Sequence, residues 1–130
     1  MGIVHFITHP EVVIDPAIPV PQWPLSAEGK RRMGLMLRQS WVAGIRAIFS
    51  SSERKAMDGA EILTRHLALP ITVIEELGEN DRSSTGYLPQ KEFEALADEF
   101  FPRPQESVRG WERATDAQRR IVSEIGRAHV

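Results

Sequence analysis

Apolar residues recur along the chain with two different periods, and the changes of period mark its elements. Ile3 to Thr8 is an almost unbroken apolar run, which predicts a first strand buried on both faces of a parallel sheet. Five of the nine prolines, Pro10, Pro16, Pro19, Pro21 and Pro24, follow closely. That density excludes a helix or a central strand and predicts an extended, ordered surface loop. Ser26 then stands as a helix N-cap, and Met33, Met36, Leu37 and Trp41 recur at helical spacing, so a helix is expected over roughly residues 26–42.

Ile45 to Ser50 reads as a second short strand, followed by Ser51 and Ser52. From Glu53 a second helix is expected, with Ala56, Ala60, Leu63 and Leu67 on one face. Ile71 to Glu75 is a third, β-branched strand. Residues 76–89 are polar and turn-rich. Phe93, Leu96 and Phe100 predict a short third helix, and Val108, Trp111, Thr115, Gln118, Val122 and Ile125 a longer fourth one. Strands alternating with helices predict an α/β fold, a three-layer sandwich in which helices flank a mainly parallel sheet joined by right-handed crossovers. Three strands make a thin sheet, and the chain stops where a last helix should hand over to another strand.

Composition narrows the function. The 130 residues fit a single domain. With 16 Lys+Arg against 18 Asp+Glu, the net charge is −2, which excludes bulk attraction to nucleic acid or an anionic membrane as the main driver. There are no cysteines, so disulfide scaffolds, thiolate zinc sites and a Cys nucleophile are ruled out. The N-terminus has no basic leader, and its apolar run is far short of the roughly 20 residues that span a bilayer. A cytoplasmic location is expected, with neither nucleic acid nor membrane as a partner. Oligomeric state is left open.

In open α/β sheets ligands gather at the carboxyl ends of the strands. Three features fall there. Thr8-His9-Pro10 closes the first strand. Ser50-Ser51-Ser52-Glu53-Arg54-Lys55 closes the second and opens a helix, and Glu76 to Arg82 follows the third. A helix N-terminus with adjacent cations suits an anion. An imidazole beside a bound phosphoryl group can serve as nucleophile, with a carboxylic acid protonating the leaving oxygen.

These residues resemble the histidine phosphatase (phosphoglycerate mutase-like) superfamily. "PLSAEGKRRM" is similar to the family's "PLTxxGxxQA", "IFSSSERKAMDGAEIL" to "IYSSxLxRAxxTAEIL", "EELGENDRS" to the acid loop "ELxExDxG", and "RPQESVRGWERATDAQRRIV" to the helix "PxGESxxxxxxR". The ordered set is more specific than any one member, and it covers essentially the whole chain. The resemblance implies a metal-independent phosphatase that needs no cofactor and takes a small phosphorylated substrate. His9 would be the nucleophile, its second ring nitrogen donating to a backbone carbonyl and so fixing the tautomer. Glu79 would be the general acid, then the base that activates water. Thr8, Ser51, Arg54, Lys55 and Arg82 would contact phosphate or substrate. The alternatives within this resemblance are a phosphomutase and a catalytically degenerate anion-binding module.

The departures from the family pattern are definite. Arg-His-Gly is Thr8-His9-Pro10 here, so the first phosphate-binding Arg is a Thr. The Arg before the Ala of the second motif is Lys55, a point charge in place of a planar fork. Arg82 is a candidate to restore a cation. The family's second His follows a final apolar strand, whereas this chain ends at Arg127-Ala128-His129-Val130, and His129 is not taken as its substitute. The expectation is a domain lacking its C-terminal part, or a protein lacking part of the site.

Plainer readings stand beside these. Glu76 competes with Glu79 for the acid role, and the motif favours Glu79. His5 is read as structural and His66 as a surface residue. Lys30-Arg31-Arg32 is read as a solvated face. Ser52 is read as a cap of the second helix. Trp23 could line a pocket or pack over the core, and Trp111 is read as core.

Overall fold

The computed structural model describes residues 2–128. They form two compact units, one running from Phe6 to Glu75 and the other joining the residues up to His5 with those from Glu76 onward.

The Phe6–Glu75 unit is built on a parallel pair of strands, β1 (Ile48–Ser50) and β2 (Ile71–Val73), connected by the helix α2 (Arg54–Leu67). Ile48 pairs with Ile71, Phe49 with Thr72 and Ser50 with Val73. The ladder is prolonged by Ile74 N–H donating to Ser50 O at 2.8 Å. Helix α1 (Ala27–Met36) precedes them. Val42, Ile48, Ala60 and Leu63 form the core, and Met36, Leu37, Trp41, Ile45, Leu67, Leu69 and Ile71 pack against it. The apolar face of α2 thus lies on the strands it connects, as its i, i+4, i+7 pattern requires.

Ser26 caps α1, its Oγ accepting from Gly29 N–H at 3.0 Å. The helix ends well before residue 42. Leu37, Arg38 and Gln39 N–H bond to the carbonyls of Gly34, Leu35 and Met36, three residues back, which tightens the last turn. A 3₁₀ turn over Ser40–Gly44 follows and carries Val42 into the core. Apolar spacing survives this tightening, so periodicity alone overextends the helix. Ser52 does not cap α2. The N-cap position is Glu53, with no side-chain cap bond.

The first expected strand is the main correction. Residues 3–8 form no strand, and Ile3 is 82% and Phe6 62% exposed. An apolar run specifies a preference for burial, but a strand exists only where a neighbouring strand takes up its N–H and C=O groups. The sheet among the described residues has two strands, not three.

In the other unit, α3 (Gln90–Phe100) and α4 (Ala114–Ala128) accompany a core of Leu96, Phe100, Val108 and Trp111, against which Leu88 and Ala114 pack. The fourth helix begins later than its apolar spacing predicts. Val108 and Trp111 sit in a turn before it, where Arg109 and Gly110 both take positive φ, 49° and 80°. A side chain at Gly110 would also collide with Ser84, whose Oγ donates to Arg109 O at 2.8 Å. Among the described residues no helix is long and apolar enough to cross a membrane.

Candidate active site

Thr8, His9, Ser51, Arg54 and Lys55 belong to the Phe6–Glu75 unit, and Glu79 and Arg82 to the other.

Thr8 is exposed and His9 half-buried. His9 Nδ1 lies 2.7 Å from Pro10 O. A carbonyl oxygen carries no proton, so Nδ1 must be the donor. In the neutral ring the basic lone pair then resides on Nε2. The chain leaving His9 is pinned. Glu11 O accepts from Ser26 N–H at 3.0 Å and from Ser26 Oγ at 3.3 Å, Val12 bridges Leu25 antiparallel, and Val13 N–H donates to Pro24 O at 2.9 Å. Leu25 N–H in turn donates to Asp58 Oδ2 on α2 at 3.0 Å. Through these bonds the backbone next to His9 is tied to both helices of its unit.

Gly29 makes that approach possible, because a Cβ there would run into the carbonyl of Glu11. The obstructing atom is backbone, so the segment after His9 would have to move. Gly29→Ala is therefore expected to destabilise this unit by about 1–3 kcal/mol. The check is the chemical unfolding midpoint together with the backbone NMR shifts of residues 9–13. An unshifted midpoint would show that the segment is not held this way.

The proline-rich loop is organised by Trp23, which is buried and donates its indole Nε1–H to Asp15 O at 2.9 Å and Ile18 O at 3.0 Å. His66 is exposed on α2, as expected, and His5 is exposed. Arg31 and Arg32 are exposed and pair with Glu28. Hydrogen bonding to Arg31 first, and then its charge, pulls the Glu28 carboxyl down to about 2. The basic cluster is the solvated face it was read to be.

Beyond β1, Ser50 and Ser51 are buried, with Ser50 Oγ donating to Ser51 O at 2.9 Å. Lys55, in the first turn of α2, is only 3% exposed, and its Nζ lies 3.4 Å from Glu53 Oε2. A buried ammonium needs an anionic partner, and the helix N-terminus around it carries the same positive sense. Arg54 is on the exposed flank, its Nε donating to Asp58 Oδ1 at 3.2 Å. Ser51 and Lys55 are thus both buried, and Arg54 is exposed.

In the other unit Glu79 is an exposed side chain of the loop after the 3₁₀ turn Glu75–Leu77. Arg82 Nη2 lies 3.6 Å from Glu79 Oε2. The Arg82 guanidinium rests over Phe93 and Trp111, 5.1 and 5.8 Å from the ring centroids. Its charge is shared between a carboxylate and two aromatic faces. Two residues that the sequence reading did not single out govern this loop. Glu112 and Arg120 form a bidentate pair, Nε to Oε2 at 2.8 Å and Nη2 to Oε1 at 2.7 Å. Their spacing of eight residues spans the start of α4, so no helical periodicity links them. Only the loop "ELGEND", with no strand partner for its carbonyls, hints that something must hold it.

Hydrogen bonding to Arg120 keeps the Glu112 carboxyl below its ordinary value of 4.5, and hydrogen bonds from Ser83 keep Asp81 below 3.8. Both carboxyls bind protons more weakly folded than unfolded. Their stabilisation is present above the unfolded values and is lost as pH falls through the lowered folded ones. Acidification from about pH 6 to pH 3 is expected to lower the urea midpoint of the wild type more steeply than that of Glu112→Gln. Parallel pH profiles would exclude Glu112 as a source of the acid sensitivity.

Among the described residues no group of three or more His, Asp or Glu is placed to hold a metal ion. His129, the sequence's last imidazole, lies outside the described residues.

Residues 19–129 match the family model of the histidine phosphatase superfamily (branch 1), a match that starts after His9. No curated protein sequence matches the chain. Among solved structures, a mycobacterial glucosyl-3-phosphoglycerate phosphatase in complex with inorganic phosphate superposes with a TM-score of 0.74 at 20% identity, over 92% of this chain and 58% of that one. Mycobacterial hydrolase 1 gives 0.71 at 18% identity, over 84% and 54%. The Bacillus stearothermophilus protein YhfR gives 0.67 at 23% identity, over 92% and 63%. At these identities the likeness is one of fold. The chain spans between 54% and 63% of the length of these three structures.

Proposed function

The chain belongs to the histidine phosphatase superfamily, branch 1, and from that premise we propose that it is a hydrolase of small phosphomonoesters working through a phosphohistidine on His9. The observation that carries the reading is the 2.7 Å contact between His9 Nδ1 and Pro10 O. That contact leaves the lone pair on Nε2 and so supports Nε2 as the attacking nitrogen. Nε2 displaces the alcohol oxygen from phosphorus, forming the N–P bond as the P–O bond breaks. The carbonyl of Pro10 remains on Nδ1–H and stabilises the positive charge that the ring acquires.

Glu79 gives its proton to the leaving oxygen, so the product departs as a neutral alcohol. In the second half the Glu79 carboxylate takes a proton from water, whose oxygen attacks phosphorus. The N–P bond breaks and inorganic phosphate leaves. We assign the phosphoryl oxygens to Lys55, aided by Ser51 and Thr8, with Arg54 and Arg82 as substrate contacts. In phosphoryl transfer such positioning and charge supply most of the rate.

A second reading is an anion-binding module in which His9 is chemically silent. Thr8 in place of the family's Arg, and the Glu53 carboxylate 3.4 Å from the Lys55 ammonium, favour it. One experiment separates the two. The 130-residue protein is mixed with p-nitrophenyl phosphate without added metal, quenched at alkaline pH where phosphohistidine survives, and weighed intact, with His9→Ala as control. One added phosphoryl group that vanishes in the variant, or phosphate release that does, establishes the nucleophile. Equal phosphate release from both proteins removes the enzymatic reading. Absence of release together with thermal protection by inorganic phosphate, about 2.7 kcal/mol at 100 times its dissociation constant, identifies the binding module.

A further inference from the structure

We propose that Arg120 is a positioning residue for Glu79, with Glu112 as the partner that orients it. The inference rests on the acid role given to Glu79 above. Glu79 lies on a segment without regular hydrogen-bond partners, between the 3₁₀ turn Glu75–Leu77 and α3. Three carbonyls, one in that turn and two in the segment after it, converge on one guanidinium. Arg120 Nη1 donates to Glu76 O at 2.8 Å and to Gly78 O at 2.6 Å, and Nη2 donates to Glu79 O at 2.8 Å.

The remaining donors of the fork are spent on Glu112, which holds the other side of the same loop. Glu112 Oε1 accepts from Asp81 N–H at 3.0 Å, Glu112 N–H donates to Asp81 O at 2.8 Å, and Asn80 Nδ2 donates to Glu112 O at 2.7 Å. Backbone atoms of residues 76, 78, 79 and 81 and the Asn80 side chain are thus fastened to two residues, one just before α4 and one in its second turn. The Glu79 side chain is exposed, with its carboxylate 3.6 Å from Arg82 Nη2. Arg suits this task because its five donors lie in one rigid plane. A Lys has no second nitrogen with which to reach the carboxylate and three carbonyls together. The pair is three-quarters or more buried, at 24% and 19% side-chain exposure, so water competes for these bonds less than on an open surface.

A residue that aims a general acid has a signature that a merely structural one lacks. The acid matters when the leaving oxygen is basic and hardly at all when it departs unaided. Glu79→Gln is expected to slow an alkyl phosphate by about 10²–10⁴-fold and p-nitrophenyl phosphate only slightly. Arg120→Gln is expected to reproduce that contrast with a loss of about 10²-fold on the alkyl ester, the effect of misplacing a catalytic group by about 1 Å. The double variant should be no slower than Glu79→Gln alone.

Glu112→Gln, a milder change, should show the same substrate dependence with a smaller loss. Equal losses on both substrates, or fully additive ones, overturn the proposal. If the wild type releases no phosphate from either ester, the phosphatase reading fails. Amide hydrogen exchange over residues 76–82 then decides the positioning claim. Faster exchange confined to that segment in Arg120→Gln upholds it, and unchanged exchange overturns it.

Discussion

His9→Ala is expected to lower turnover of a phosphomonoester by on the order of 10⁴-fold or more, the scale on which enzymes that act through a covalent intermediate lose rate when the nucleophile is removed. Stability should hardly change. His9 is half-buried and sits in a segment without regular structure, and the backbone bonds of Glu11, Val12 and Val13 that pin its neighbourhood do not involve the His9 ring. His9→Gln makes the test stricter, since it keeps a polar side chain of similar reach without a nucleophilic nitrogen, and it should be as inactive as His9→Ala. Added imidazole should restore part of the rate to the alanine variant alone, because only there is the space vacated. The measurement is phosphate release under saturating substrate, with unfolding midpoints in parallel. A His9 variant that retains more than about a tenth of wild-type turnover would remove the ring from the reaction.

Trp111→Ala is expected to cost about 3–5 kcal/mol, the range for truncating a buried large aromatic residue. Trp111 is 2% exposed and lies 5.5 Å from the Phe100 ring in an edge-on arrangement and 5.8 Å from Phe93. Its indole N–H donates to Thr85 Oγ1 at 2.9 Å, and its outer face carries the Arg82 guanidinium. Truncation therefore empties the centre of its unit, leaves Thr85 without that bond and removes one of the two rings under Arg82. Against a total stability of roughly 5–15 kcal/mol, that is a large fraction. Urea unfolding measures it, and amide exchange should locate the loss in residues 82–115 while α2 keeps its protection. Trp111→Phe should recover more than half of the difference. A shift below about 1 kcal/mol would mean that the cavity closes at almost no cost.

The two substitutions touch residues that the sequence exposes to very different degrees. Trp111 is legible from composition and spacing as a core residue, but not its geometry. It lies in a turn with two consecutive positive φ angles, a shape that neither Arg109 nor the helical spacing announces. His9 is singled out in the sequence by its place in an ordered set of motifs. The carbonyl that accepts from its Nδ1–H belongs to Pro10, where the family pattern has Gly, and becomes visible only when the backbone is placed. Arg54 and Lys55 are adjacent in sequence and both basic. The structure separates them into a flank residue held by Asp58 and a buried ammonium near Glu53, because successive helical positions point about 100° apart. Arg120 escapes a linear reading altogether. Its partners lie 8 and 41 to 44 residues away, and nothing local marks an arginine that will meet three carbonyls.

By itself the sequence determined the α/β class, the parallel β1–α2–β2 unit, the cap at Ser26, the ordered proline loop and the family. Each of these depends on patterns carried within a dozen or so neighbouring residues, or on motifs in a set order. Tertiary structure alone decided that the apolar run from Ile3 to Thr8 forms no strand, that Gly29 is a point of close approach, and that the loop over residues 76–81 is fastened by Glu112 and Arg120. These outcomes depend on which distant backbone groups arrive opposite one another. Hydrogen bonds and steric contacts act over a few ångströms of space, whatever separation along the chain they join.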